Sequence, residues 1–156
     1  MDYGPTVALL RRMPMLAGMD ARALKMLAFS ATHLLLEDGE ILCSEGEAAD
    51  GVYIIDEGTV EVYVEREGAS SPIAQVGRHG LVGELAVILN QPRAASVKAL
   101  GPVKVLRFDA DVFLQLITSH PDAALGVIRT LGERLTQMIQ QYEELAGKLA
   151  ERIGAR

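Results

Sequence analysis

Hydrophobic positions change their period twice along this chain, and the two changes divide it. In "GMDARALKMLAFS", Leu24, Leu27 and Ala28 recur at helical spacing behind Asp20, whose side chain suits an N-cap. Residues 1–30 therefore read as a helical lead-in. From Ala31 the pattern shortens. "THLLLEDGEILCSEGEAADGVYIIDEGTVEVYVEREG" is a run of β-branched and aromatic segments cut by Gly39, Gly46, Gly51, Gly58 and Gly68. In "GTVEVYVER", Val60, Val62 and Val64 alternate with Glu61, Tyr63 and Glu65, which predicts a strand with its valines inward and the other three residues wet. "SPIAQVG" and "AASVKALGPVKVLRFD" add further strands. Short strands joined by glycine turns, with no helix between successive pairs, imply a sandwich or barrel over residues 31–109.

The helical period returns after Asp109, so residues 110–156 read as C-terminal helices. "ADVFLQLITSH" is a short amphipathic helix that stops ahead of Pro121, which can open the next one. That last helix should run from Pro121 to Ile153. Along it, Ile128, Leu131, Leu135, Met138, Tyr142, Leu145 and Leu149 are spaced alternately 3 and 4, a heptad seam. Before Leu135 the seam is expected to pack on its own domain. Beyond it, Glu133, Arg134, Glu144, Lys148, Glu151 and Arg152 leave a narrow apolar stripe, which fits self-association. Gly126, Gly132 and Gly147 weaken the helix and mark places where it can bend.

Composition narrows the function classes. Fifteen basic against twenty-one acidic residues, net −6, argue against direct binding to nucleic acid or to an anionic membrane surface. No apolar run approaches the length of a membrane span, and charges and prolines interrupt the N-terminus before an export signal forms. A lone cysteine, Cys43, excludes an internal disulfide, reads as a small buried strand residue and fits a cytoplasmic location. His33, His79 and His120 lack metal-ligand spacing, and Ser119 beside His120 is not a nucleophile–base geometry. No P-loop or dinucleotide fingerprint is present. The expectation is a protein without catalytic residues, metal or cofactor.

The chemistry concentrates in "GELAVILNQPRAASV", Gly83 to Val97. Gly83 precedes a short helix-like run, Glu84 to Leu89, whose first turn exposes backbone N–H groups and permits close approach of an anion. Arg93 adds a full charge and a fork of donors suited to phosphate oxygens, and Ala94 and Ala95 leave space and backbone donors. Glu84 repels phosphate but accepts from a neighbouring hydroxyl, so the pair suits a sugar phosphate. An Arg93–Glu84 ion pair that only closes a loop fits the same residues, and the chemistry alone leaves both readings open.

This segment resembles the phosphate-binding cassette of the cyclic nucleotide-binding domain family, with Gly83, Glu84, Leu85, Ala86, Pro92, Arg93, Ala94, Ala95, Ser96 and Val97 in register. "LEDGEILCSEGEAADGVYIIDEGTVEVYV" is similar to the family's early strands, "LRRMPMLAGMD" to its helical lead-in, and "FLQLITSHP" with the helix beyond to its closing helices. The resemblance implies a mainly β fold: an eight-stranded jelly roll with N-terminal helices and a long C-terminal helix. It implies that Glu84 holds the ribose 2′-hydroxyl and Arg93 the cyclic phosphate, with backbone amides of Gly83, Leu85, Ala86, Ala94 and Ala95 completing the cradle. It favours cAMP over cGMP, because Ala94 lacks the hydroxyl that reaches guanine, and it places Met138 and Ile139 where a helix covers the base. One stretch departs from the pattern. "RHGLVGE" carries His79 and Gly80 where the family has Gly and Asp, and Val82 where Phe is common, so the loop leading into the cassette is expected to differ in shape.

Together these features suggest a receptor that passes occupancy through its last helix, to a homodimer partner or to an unidentified effector protein. No helix-turn-helix follows that helix, which suggests either a one-domain receptor or the sensor part of a larger protein. The alternative is a scaffold of the same fold that responds to another ligand such as cyclic di-GMP, or to none.

Overall fold

The computed structural model describes residues 2–154; Met1, Ala155 and Arg156, which the divisions 1–30 and 110–156 include, lie outside the described residues. Helix α1 (Gly4–Arg11), a 3-10 turn (Pro14–Leu16) and α2 (Ala21–Ser30) precede the strands. The strands are β1 (Thr32–Leu36), β2 (Ile41–Cys43), β3 (Gly51–Arg66), β4 (Ala69–Val76), β5 (Leu81–Val82) and β6 (Ser96–Asp109). Helix α3 (Glu84–Leu89) lies between β5 and β6, and α4 (Ala110–Ser119) and α5 (Pro121–Gly154) close the chain. Asp20 caps α2 as its position suggested, accepting from the Ala23 N–H at 2.8 Å, an interaction worth about 1 kcal/mol.

All strand pairs are antiparallel, in the order β1-β6-β3-β4, with β2 also on β6 and β5 also on β3. Among the described residues there are six strands rather than the expected eight. The difference lies in β3 and β6, long strands of 16 and 14 residues. Each passes without a break through a glycine in the left-handed region, Gly58 (φ 94°) and Gly101 (φ 79°), and their mutual pairing slips between Ile55 and Thr59. Divided at those glycines, β3 and β6 would count as four strands, which brings the six to the eight that the resemblance implied.

The side-chain period of two sorts β3 and β6 between two cores. Val52, Ile54, Leu106 and Phe108 join α1, α2, α4 and the start of α5 in one cluster. Tyr53, Ile55, Val103 and Val105 point the other way, into the space between strands, with Cys43, Val60, Val82, Val97 and Ala99. Both faces are covered there, which explains the continuous apolar run "VYII" where a half-wet strand would alternate. Tyr63 departs from its expected wet position. It is buried, with the Lys98 Nζ 4.8 Å from its ring centroid, and the β3–β4 register slips between Val62 and Tyr63.

The structure also revises the reading of α5. The face it turns to its own domain carries Ala123, Gly126 and Val127, not the seam, and Ile128 is exposed with Leu135. Of the seam residues before Leu135, only Leu131 packs against the helical core. Gly126 is a point of close approach rather than a bend, since a Cβ there would fall 2.3 Å from Met15 Cβ and 2.5 Å from its Cα in the 3-10 turn.

The glycines of α5 should therefore respond oppositely to alanine. Gly126→Ala must push the turn away and should cost roughly 1–3 kcal/mol. Gly132→Ala meets nothing within 4 Å and should add up to ~1 kcal/mol through helix propensity. Denaturant unfolding of the two variants checks both signs.

Candidate functional site

β5 delivers the chain to Gly83, which sits in the left-handed region (φ 85°) as the N-cap of α3. Glycine is required there for a second reason, since a Cβ would lie 2.6 Å from Nη1 of Arg93. The next residue, Glu84, opens α3, whose N-cap residue, Gly83, makes no side-chain cap. After α3 the chain turns at Asn90, also left-handed (φ 51°), and reaches Arg93 ahead of β6. Glu84 and Arg93 are 2% and 4% exposed, and with Thr6 they are the buried polar or charged side chains among the described residues.

Arg93 is held by neutral groups. Its Nη1 donates to the Gly83 carbonyl at 2.7 Å and its Nη2 to the Gly51 carbonyl at 2.6 Å. The guanidinium lies 5.7 Å from the Tyr53 ring centroid, and the nearest carboxylate oxygen in an ion pair is Asp50 Oδ1 at 3.8 Å, on an exposed side chain. Its Nε is buried without a hydrogen-bond partner. A buried donor left in that condition costs about 1–3 kcal/mol, more when charged.

Glu84 has a different partner. Arg134 of α5 donates through Nη1 to Glu84 Oε1 at 2.5 Å and through Nη2 to the Leu81 carbonyl. Burial nevertheless holds the Glu84 carboxyl above its ordinary pKa, outweighing the opposing pull of Arg134 and Arg93. The Arg93–Glu84 ion pair that the residues alone allowed does not form; each group has its own contacts.

The other candidate residues are distributed around this pair. Ala86 and Ala95 are half-buried, and Leu85 and Ala94 are exposed, on the solvent side of the cassette. Met138 and Ile139, 56% and 49% exposed, lie about one turn beyond Arg134 and are free of the core. His79 adopts the left-handed conformation (φ 68°), which is uncommon for a residue with a side chain and natural to glycine. Cys43 is buried in β2, and burial raises its thiol pKa. Ser96 begins β6 and its Oγ accepts from the Glu45 N–H at 2.8 Å.

Sequence reasoning missed Arg134, Asp50, Gly51 and Tyr53. The signal for Arg134 was available: it is an arginine four residues before Met138, on the face that turns toward the cassette.

A family model described as Cyclic nucleotide-binding domain matches residues 33–120, more than half of the chain. The chain belongs to that family. A cAMP-dependent protein kinase type II regulatory subunit from Drosophila melanogaster is 39% identical over 110 residues, which make up 70% of this chain and 29% of that protein. The chain thus spans less than a third of that relative's length. Among solved structures, the regulatory domain of Toxoplasma gondii PKA with cAMP superposes with a TM-score of 0.74 at 26% identity, over 84% of this chain and 50% of that one. The regulatory subunit of a cAMP-independent protein kinase A from Trypanosoma brucei gives 0.72 at 26%, over 94% and 51%. These relatives are described as regulatory subunits or domains. Among the described residues no helix is long and apolar enough to cross a membrane, and no group of three or more metal-ligating side chains gathers.

The Glu84–Arg134 contact makes a titration prediction. The folded carboxyl keeps its proton to higher pH than the unfolded chain does, so its stabilising contribution is complete below the ordinary carboxyl range and is lost as pH rises through the folded pKa. Arg134→Met removes the attraction that opposes burial. The Glu84 pKa should rise further, and stability at neutral pH should fall by about 1–3 kcal/mol, below the cost of breaking a fully buried pair because Arg134 is one-third exposed. Carboxyl-carbon NMR titration and denaturant unfolding at acid and neutral pH measure the two effects.

Proposed function

We propose that this domain is a cyclic nucleotide receptor module that takes cAMP in its cassette and passes occupancy through α5. One observation carries the reading: Arg93 is buried beside Gly83 with its Nε lacking any acceptor. A phosphate oxygen is an acceptor of the right charge, and its binding would form a charge-assisted bond worth about 1.5–3 kcal/mol. Glu84, at the start of α3, accepts the ribose 2′-hydroxyl. A carboxylate has acceptor capacity for that hydroxyl while Arg134 stays bound, so ligand and helix share one group. Backbone amides of Gly83, Leu85, Ala86, Ala94 and Ala95 complete the phosphate cradle, and Met138 and Ile139 move over the base.

Occupancy then alters how firmly Arg134 is held, and with it the position of α5. Coupling of this kind amounts to about 1–3 kcal/mol. The outer half of α5 carries Leu135, Tyr142, Leu145, Leu149 and Ile153, each more than half exposed. A run of exposed apolar side chains along one helix face marks a protein–protein surface, which supports a second copy, or an effector protein, covering the stripe. The reading assigns no catalytic residue, metal or cofactor, no direct contact with nucleic acid or membrane, and a cytoplasmic location.

A second reading keeps the fold and changes the ligand. The similarity to the regulatory subunit of a Trypanosoma brucei protein kinase A described as cAMP-independent supports it, as do the residues of "RHGLVGE". In that case cyclic di-GMP, or no nucleotide, occupies the cassette.

Calorimetry with cAMP, cGMP and cyclic di-GMP separates the readings, with cAMP expected to bind most tightly. Arg93→Ala should weaken cAMP at least ~10-fold; unchanged affinity would defeat the assignment. Solution mass measured with and without cAMP tests the second copy: a monomer in both conditions removes the dimer.

A further inference from the structure

The Asp50–Gly51 peptide lies between two arginines, of which only Arg93 belongs to the cassette. On one side, Arg93 Nη2 donates to the Gly51 carbonyl and lies 3.8 Å from Asp50 Oδ1. On the other, Arg107 Nη2 donates to the Asp50 carbonyl at 3.1 Å and lies 3.6 Å from Asp50 Oδ2. Gly51 lets Arg107 cross the strand, since a Cβ there would stand 2.9 Å from its Nε and Nη2. Arg107 is fixed in turn by Asp109, whose Oδ1 accepts from its Nη1 at 2.6 Å. Asp109 occupies the N-cap position of α4 but makes no side-chain cap there, its carboxylate being committed to Arg107. The N–H of Ala110, the first residue of α4, donates instead to the Asp50 carbonyl at 3.0 Å.

We propose that Arg107 is a positioning residue of the anion site: it holds the Asp50 carboxylate off Arg93 and so sets how strongly Arg93 grips an anionic ligand. The inference rests on reading Arg93 as the phosphate-binding residue. An incoming phosphate meets the negative charge of Asp50 close to the same guanidinium. With Arg107 present, that charge is divided between two cations. Without it, Asp50 relaxes toward Arg93, competes for its donors and repels the ligand. The same guanidinium holds Asp109, so anion affinity and the anchoring of the first turn of α4 depend on one side chain.

A mutant cycle read by cAMP calorimetry on the whole chain tests this. Arg107→Gln should weaken cAMP binding about three- to fivefold, the range expected of a partly exposed charge contact. In an Asp50→Asn background the same substitution should change nothing, which a merely structural role for Arg107 would not produce. Asp109→Asn leaves Arg107 in place and frees it for Asp50, so it should tighten binding about twofold and keeps the test open if Arg107→Gln fails to fold. All these differences should shrink at high ionic strength. Equal losses in both backgrounds, no loss in either, or weaker binding in Asp109→Asn overturns the proposal. If cAMP binding responds to Arg93→Ala but ignores Arg107, only this inference falls. If the wild-type chain does not bind cAMP, or Arg93→Ala leaves binding unchanged, the phosphate assignment falls with it.

Discussion

A guanidinium almost sealed from water, and held mainly by carbonyl oxygens, constrains everything around it. Burial of a guanidinium must be offset by hydrogen bonds, and two of the Arg93 nitrogens find them on Gly83 and Gly51. Those two carbonyls belong to segments 32 residues apart in the chain. Both segments must be brought up without side chains in the way, which explains glycine at each place. A Cβ on Gly83 would meet Arg93, and one on Gly51 would meet both Arg107 and the Phe108 carbonyl. The paired strands β3 and β5 fix the distance between them. The sheet is thus organised to hold one charge at a defined place with one donor unspent.

Glu84 is the counterpart. Its carboxyl is as deeply buried as Arg93, yet the two are not partners. A direct pair would have satisfied both and left nothing for a ligand. Separating them leaves Arg93 with an orphan N–H and gives Glu84 to Arg134, on an element that belongs to neither the cassette nor the sheet. The consequence is a polar site with contacts to two different parts of the molecule, the strands through Arg93 and the long helix through Glu84.

Much of this was legible from local pattern. The two changes of period mark where strands begin and end, Asp20 caps the helix it precedes, and Glu84 to Leu89 is a helix because Gly83 and Asn90 turn the chain on either side. What stayed hidden depended on tertiary contact. Glycine in a strand suggests a break, but β3 passes through Gly58 and its pairing with β6 resumes beyond it. Tyr63 looked wet because its neighbours are glutamates, and the slipped register with Lys98 over the ring buries it. In α5 the eye follows Ile128 and Leu135, yet Ala123, Gly126 and Val127 face the domain, since small residues allow the 3-10 turn to approach closely. Arg134 looked like a solvated charge because periodicity ranks positions by apolarity and does not register an arginine reaching back to a buried carboxylate.

That division of α5 has a mechanical meaning. Its domain face is anchored at two places, by close packing of Gly126 on Met15 and by Arg134 on Glu84, about two turns apart. The first contact is steric and indifferent to charge. The second is electrostatic and lies inside the candidate ligand site. Under the proposed reading, a change at Glu84 would loosen or tighten one anchor while the other stays fixed, a geometry that favours a pivot over departure from the domain. Among the described residues nothing in the domain covers the apolar stripe beyond Arg134, so under that reading a small angular change at the anchor would become a larger displacement at Leu149 and Ile153. The longer the free rod, the greater the leverage such a pivot would have.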